Sequence, residues 1–228
     1  RPEPHRTSWF DVGPRWVAGG MDRDTIEIEK LRPDQVDEAA DLLSRSFQTT
    51  PDYTHMFPDP YTRRDALRGF MRAPLRDAEA EGTCWAASDG PVLVGVAAWQ
   101  APGRYPWSLG RNLRALPALI SVLRHARGSF RDLLAFGSNI DAHFPRERPV
   151  WYLQVIGVSP EAQGLGVGTR LLEPAFHLAD QAKVACYLET SNPEAVPFYL
   201  SAGFAIDTKG VELMPGGPTY WLMTRPPT

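Results

Sequence analysis

The order of hydrophobic and polar positions divides the chain into alternating strand-like and helix-like segments. Residues 25–30 alternate apolar with charged side chains, which predicts a half-buried strand. Over residues 33–47 apolar side chains recur at helical spacing, and the acidic residues of the first turns suit the positive end of a helix dipole. Residues 49–60 are rich in Pro and Asp, which predicts a loop.

The next segments predict a helix followed by two paired strands. Residues 61–81 carry apolar side chains on one helical face, and Pro74 is expected to kink or break this helix. Two apolar runs at residues 83–88 and 92–100 flank an Asp-Gly-Pro sequence, which is typical of a tight connection between antiparallel strands. The sequence therefore predicts a hairpin at this point.

The stretch at about residues 101–149 contains eight arginines and three acidic residues beside regularly spaced leucines. Such a basic amphipathic segment suits either an anionic membrane surface or a helical insertion with one solvated face and one face packed on the core. We favour the insertion, because the segment has no lysine clusters and the whole chain is acidic.

The second half of the chain has the clearest order. Residues 150–158 form a nearly continuous apolar run, as expected of a central strand buried on both faces. A helix at residues 165–182 and a buried strand at 184–188 complete a βαβ unit, which predicts parallel strands with a right-handed crossover. A short helix at 193–202, a strand from residue 204 and a strand-turn-strand at 211–224 follow, so the fold class is α/β.

Composition limits the classes of function. The 228 residues are 43% hydrophobic and 22% charged, which is typical of a globular protein of one decorated domain or two small ones. A formal net charge of −3 argues against nucleic acid and anionic membranes as partners. Apolar runs fall short of the about 18 residues that a membrane helix needs, and two separated cysteines suit buried thiols in a reducing compartment. We therefore expect a cytoplasmic protein with a flexible tail at residues 1–24.

A glycine-rich loop lies between the strand at 150–158 and the following helix. In Gln163-Gly-Leu-Gly-Val-Gly168, glycines allow backbone N–H groups to approach a ligand, and the helix N-terminus favours phosphate. The alternative is that these glycines serve only tight packing of strand and helix. A dinucleotide fold is disfavoured because Thr169 stands where a third Gly or Ala belongs, and a nucleotide triphosphatase loop because Gly-Lys-Ser/Thr is missing.

Two motifs in this region resemble those of the GNAT superfamily of acyl-CoA N-acyltransferases. The first, V-x-P-x-x-Q-x-x-G-x-G, spans residues 158–168 and resembles the pyrophosphate-binding motif. The second, N-x-x-A-x-x-F/L-Y, spans residues 192–199 and is followed by Gly203-Phe204. Within the superfamily, residues 155–160, 188–191 and 197–199 are most similar to puromycin N-acetyltransferases and their actinobacterial relatives.

The resemblance implies a fold and a co-substrate. The fold is a single α/β domain at residues 25–228, with splayed parallel strands in a mixed sheet, flanking helices and the insertion at about 101–149. Acetyl-CoA would lie in the splay, with no metal ion required. The implied acetyl-CoA-binding residues are Val155, Ile156, Gly157, Val158, Gln163, Gly164, Leu165, Gly166, Val167, Gly168, Thr169, Asn192 and Phe198. Asn192 is also well suited to be an N-cap for the helix that follows it.

The resemblance also implies the reaction, which is direct attack of an amine on the thioester within a ternary complex. Tyr199 matches the general acid of the family, and a backbone N–H near Val155 or Ile156 would stabilise the oxyanion. Glu189 is the first candidate for the general base, although an amine of low pKa needs none. His143 is a weaker candidate for the base. The residues expected to contact the substrate are Asp52, Tyr53 and His55.

The expected function is acetyl transfer from acetyl-CoA to a primary amine of a small molecule, such as an aminonucleoside-type antibiotic. The alternatives are a protein amine as the acceptor and a non-catalytic acyl-CoA-binding regulatory module. The retained Tyr199 favours an enzyme, because a binding module could lose its proton donor freely. We expect a monomer or a homodimer.

Overall fold

The computed structural model describes residues 23–108, 110–113, 122 and 130–228, so the predicted tail up to residue 22 and much of the insertion lie outside the described residues. A 3-10 turn at Arg23–Thr25 precedes the first strand. The principal helices and strands are β1 Ile26–Lys30, α1 Val36–Ser46, α2 Pro51–Met56, α3 Pro60–Ala80, β2 Cys84–Asp89, β3 Val92–Gln100, α4 Phe130–His143, β4 Val150–Val158, α5 Val167–Ala182, β5 Ala185–Thr190, α6 Val196–Ser201, β6 Ala205–Glu212 and β7 Thr219–Arg225.

The described strands form one seven-stranded sheet in the order β1-β2-β3-β4-β5-β7-β6. The hairpin of β2 and β3 is confirmed as an antiparallel pair, and β4 and β5 are confirmed as parallel neighbours joined through α5. The other neighbouring strands are antiparallel. The predicted mixed sheet flanked by helices is therefore present.

Helices cover both faces of the sheet and bury two hydrophobic cores. On one face Leu43 of α1 and Leu67 of α3 pack with Val96, and on the other Leu171 of α5 packs with Ala97. Val96 and Ala97 are neighbours on β3, and successive side chains of a strand point to opposite faces. This explains why the central strands are apolar along their whole length rather than alternating.

Three local expectations are wrong in whole or in part. Residues 49–60 do not form a continuous loop, because Pro51 starts the short helix α2 and its carbonyl accepts a 2.9 Å hydrogen bond from the Thr54 hydroxyl. Helix α3 continues through Pro74, so the break that was one of the two expected outcomes is absent, and the kink stays a prediction. The strand expected from residue 204 and the one expected from residue 211 are a single strand, β6, which passes Gly210 as an irregularity with φ of +81°.

The insertion is tied to the core by a buried polar network. Arg111 is 6% exposed, and its guanidinium binds the Asp77 carboxylate on α3 and the Gln100 amide on β3. The Gln100 amide in turn donates to Asp77 and, at 2.8 Å, to Gln154 on β4. The expected solvated face of the insertion therefore does not extend to Arg111, which forms a buried ion pair. None of the helices within the described ranges is long and apolar enough to cross a membrane.

We expect Asp77→Asn to destabilise the protein by about 3 kcal/mol, because removal of one partner leaves the buried Arg111 charge uncompensated. Urea denaturation would measure the free energy of unfolding. The matched control is Asp65→Asn, which changes an exposed carboxylate on the same helix. Equal losses in the two variants would contradict a stabilising role for the Asp77–Arg111 pair.

Candidate active site

The parallel strands β4 and β5 pair over three positions and then separate. Residues 150–152 of β4 lie opposite residues 185–187 of β5, although β4 continues to Val158 and β5 to Thr190. Over residues 153–158 no strand within the described residues pairs with β4 on the side that faces β5. Unpaired backbone donors and acceptors need partners, so this strand edge is available to an extended ligand.

A β-bulge in β4 lies where the separation begins. Ala98 pairs with Val155 and Trp99 with Leu153, which leaves Gln154 as an extra residue. Leu153 and Val155 consequently belong to different hydrophobic cores, although residues two apart in a regular strand share a face. A bulge bends and twists its strand, which accounts for the departure of β4 from β5.

The separation opens a cleft of about 720 Å³. Residues 153–158 of β4 line it on one side, and residues 188–192 at the end of β5 line it on the other. Further walls come from the start of α5, from α6 and from the connection between α1 and α2. The cleft contains most of the residues that the sequence implicates, namely Asp52, Tyr53, Val155, Ile156, Gly157, Val158, Gln163, Gly164, Gly166, Val167, Gly168, Thr169, Glu189, Asn192, Phe198 and Tyr199.

One end of the cleft is suited to an anion. Gly164 and Gly166 have φ of +80° and +76°, and α5 begins directly afterwards with no acidic residue in its first turn. Free N–H groups and the dipole at a helix N-terminus attract phosphate. The Arg23 guanidinium lies beside Gly166, where a Cβ would be 3.7 Å from its Cζ, and Arg170 donates to the Arg23 carbonyl. Sequence reasoning placed Arg23 in the tail and missed it.

Side chains near the loop stabilise its shape. The Gln163 amide donates to the Val158 carbonyl at 3.3 Å. The side-chain oxygen of Asn192 accepts from the Glu194 N–H at 3.0 Å within a turn. The expectation that Asn192 is the N-cap of the next helix is wrong, because α6 begins at Val196 and its N-cap is Ala195. Leu165 does not line the cleft, because its side chain packs against the core under α5.

Two ionisable side chains, Tyr199 and Glu189, also line the cleft. Tyr199 on α6 is 8% exposed, and burial raises its pKa above the ordinary value, so it remains a neutral phenol. Glu189 follows the buried part of β5, and burial raises its pKa to about 8 against the opposing effect of the Tyr152 hydroxyl. Glu189 Oε1 is buried and has no hydrogen-bond partner among the described residues.

Helix α2 contributes Asp52 and Tyr53 but not His55. The Asp52 carboxylate is buried, accepts from the Tyr53 N–H at 2.9 Å and from the Tyr220 hydroxyl at 3.3 Å, and has a pKa raised by burial. His55 lines neither the cleft nor the cavity described next, because its ring lies against the turn at Gly217. His143 at the end of α4 is exposed and contacts the Asn139 carbonyl, also away from the cleft.

A second cavity of about 500 Å³ adjoins the cleft. Its walls come from α2, α3, α4, residues 105–107 and the strands β4, β5 and β7. The cleft and this cavity share the residues Asp52, Tyr53, Gln154, Val155 and Glu189. Sequence reasoning missed the cavity, although the polar Gln154 inside an apolar strand was a signal of its entrance.

Neither cysteine takes part in this arrangement. Cys84 and Cys186 are buried outside both cavities, and burial raises the pKa of Cys186 to about 12. In the described part of the chain no three His, Cys, Asp or Glu side chains are grouped to hold a metal ion.

A mixed sheet whose central parallel strands separate beside a glycine-rich helix start defines a GNAT-like domain. The family model described as the acetyltransferase (GNAT) family matches residues 41–204. The chain therefore belongs to the GNAT acetyltransferase family.

Similar proteins include the uncharacterized N-acetyltransferase C550.08 of Schizosaccharomyces pombe, which is 30% identical over 117 residues, 49% of this chain and 47% of that protein. A mycothiol acetyltransferase of Paenarthrobacter aurescens is 41% identical over 66 residues, 26% of this chain and 20% of that protein. The chain thus spans less than half the length of these curated relatives. A solved structure described as histone acetyltransferase HPA2 and related acetyltransferase, from Corynebacterium glutamicum, has a TM-score of 0.64 at 22% identity and covers 90% of this chain and 97% of its own.

The raised pKa of Glu189 predicts a pH-dependent stability. Between its ordinary value of 4.5 and about 8, the folded protein retains a proton that the unfolded chain has released. The free energy of unfolding should therefore fall as pH rises from about 5 to about 8, and Glu189→Gln should weaken this dependence. Urea denaturation across this pH range measures it.

The control for this experiment is Glu173→Gln, which removes an exposed carboxylate on α5. Its pH dependence should match that of the unmodified protein. If Glu189→Gln also keeps the full dependence, Glu189 does not hold the extra proton.

Proposed function

We propose that this protein transfers an acetyl group from acetyl-CoA to a primary amine of a small molecule, by direct attack in a ternary complex. The observation that carries the proposal is the unpaired edge of β4. It lines the same cleft as the glycine-rich loop, Tyr199 and Glu189. One extended cleft therefore joins an anion site to a pair of proton-transfer groups.

The residues of the cleft suit acetyl-CoA along its length. Backbone N–H groups over residues 164–169, together with Arg23, would hold the pyrophosphate. The free edge of residues 155–158 would bind the pantetheine amides as a neighbouring strand does, with Asn192 and Phe198 on the opposite wall. Leu165 would contribute only its backbone, because its side chain packs against the core.

Glu189 and Tyr199 divide the proton transfers. Glu189, with a pKa of about 8, would in its ionised form take a proton from the ammonium group of the substrate, which leaves the neutral amine free to attack the thioester. A base is most effective when its pKa is near the working pH. A backbone N–H at Val155 or Ile156, freed by the separation of the strands, would stabilise the oxyanion. Tyr199, kept neutral by burial, would protonate the departing thiolate.

The second cavity favours a small acceptor over a protein amine. It reaches the cleft through Asp52 and Glu189 and offers a volume of about 500 Å³, which is within the range of ligand pockets. A regulatory acyl-CoA-binding module would not need this cavity or a buried Tyr199. The finer similarity to puromycin N-acetyltransferases stays a prediction, as do the cytoplasmic location and the monomeric or dimeric state.

Tyr199→Phe tests the proton donor. We expect kcat to fall by about 100-fold, because general acid catalysis contributes on the order of 10² to 10⁴, while the KM for acetyl-CoA changes little. Thiol release in the presence of acetyl-CoA and a panel of amines measures both constants. The control is Tyr61→Phe, which changes a tyrosine that is 93% exposed.

The same panel tests the function itself. Binding of acetyl-CoA without thiol release for any small or peptide amine would overturn the enzyme proposal in favour of a regulatory module. Puromycin belongs in the panel: if it is inert while another small amine is acetylated, the proposed function stands and the similarity to puromycin N-acetyltransferases does not extend to the substrate.

A further inference from the structure

The second cavity, which we call the aromatic chamber, is walled by rings from six parts of the chain. Residues of α2, α3, α4, the segment 105–107 and strands β4 and β7 each supply at least one ring. The rings belong to Tyr53, Phe70, Tyr105, Trp107, Phe136, Tyr152 and Tyr220.

Six of these rings pack as three separate pairs in tilted or edge-on arrangements. Tyr105 and Tyr152 have centroids 4.9 Å apart, Tyr53 and Phe70 5.9 Å, and Phe136 and Tyr220 6.0 Å. Tilted and edge-on arrangements are those that aromatic groups prefer, so another ring can be added to such a wall favourably. The chamber therefore suits an aromatic or similarly bulky apolar group.

Apart from the tyrosines, the ionisable side chains that line the chamber are all acidic. Asp52 and Glu189 lie at the junction with the cleft, and Asp141 lies in the chamber, where it accepts a 2.6 Å hydrogen bond from the Tyr105 hydroxyl. No Lys, Arg or His is among the described lining residues. A ligand carboxylate would therefore find no cationic partner among these residues, whereas an ammonium group would find carboxyl oxygens to bind and would favour their ionised form.

The junction has an acceptor that lacks a donor. Glu189 Oε1 is buried without a hydrogen-bond partner in the described residues, and a buried polar atom of this kind is satisfied by a ligand or water. Asp52 lies at the same junction on the opposite element. An ammonium group placed there would be next to the cleft, with the rest of its molecule in the chamber.

We infer that the acceptor is a primary amine that carries an aromatic or similarly bulky apolar group and no carboxylate. The amine nitrogen lies between Asp52 and Glu189, and the apolar group lies against Phe136, Tyr105 and Trp107. This inference rests on the proposed function, which requires an amine but does not specify its body.

Matched amines test the inference. The probes are 2-phenylethylamine, propylamine without the ring, and 4-(2-aminoethyl)benzoate with an added carboxylate far from the amine. We expect kcat/KM for 2-phenylethylamine to exceed that of each of the others at least tenfold, as measured by thiol release from acetyl-CoA. Equal values for propylamine or for the benzoate would overturn the inference and leave the proposed function intact.

One variant distinguishes binding of the amine in the chamber from binding of acetyl-CoA in the cleft. Phe136→Ala should raise the KM for 2-phenylethylamine at least fivefold and leave the KM for acetyl-CoA unchanged. Leu134→Ala on the same helix is the control, since Leu134 is 56% exposed and lies outside the chamber. Equal KM values in the two variants would overturn the assignment of the chamber.

Calorimetry keeps the inference testable if no amine is acetylated, an outcome that would overturn the proposed function. Titration of 2-phenylethylamine into the protein with CoA present should show binding that Phe136→Ala weakens. Absence of binding, or binding that Phe136→Ala does not change, would overturn the inference as well.

Discussion

The candidate active site depends on one constraint: the parallel pair β4 and β5 ends after residues 152 and 187, while both strands continue. In a regular sheet the backbone N–H and C=O groups of the two strands would bind each other, and no cleft would exist between the strands. Here the extra residue Gln154 turns β4 away, and its remaining backbone groups face open space. The glycine-rich start of α5, Glu189 and Tyr199 line the same cleft as this free edge.

The bulge is supported from behind by a polar network. Gln154 accepts from Gln100, which also binds Asp77 and Arg111, so the bend of β4 is linked to α3 and to the insertion. The same region supplies the walls of the aromatic chamber through residues 105–107 and α4. The insertion therefore contributes both to the stability of the bulge and to the selection of the acceptor that we propose. Glu189 lines both the cleft and the aromatic chamber.

Much of this arrangement could be predicted from the sequence, for identifiable physical reasons. The bounds of β4 agree with the prediction because a strand buried on both faces is apolar from end to end. Helix α2 was missed because Pro51 and the neighbouring Asp serve equally as turn formers and as the first residues of a helix. The burial of Arg111 was not predictable, since its partner Asp77 is 34 positions away. The aromatic chamber was not predictable either, because its rings are far apart in the sequence and meet only through tertiary packing.

The most direct test of the account is amide hydrogen exchange with and without acetyl-CoA. The central claim is that the free edge of β4 binds the co-substrate as a neighbouring strand would. Acetyl-CoA should then slow exchange in residues 153–158 and at the start of α5, and leave β1 and β2 unchanged. Slower exchange confined to other parts of the chain, with residues 153–158 unaffected, would contradict the claim.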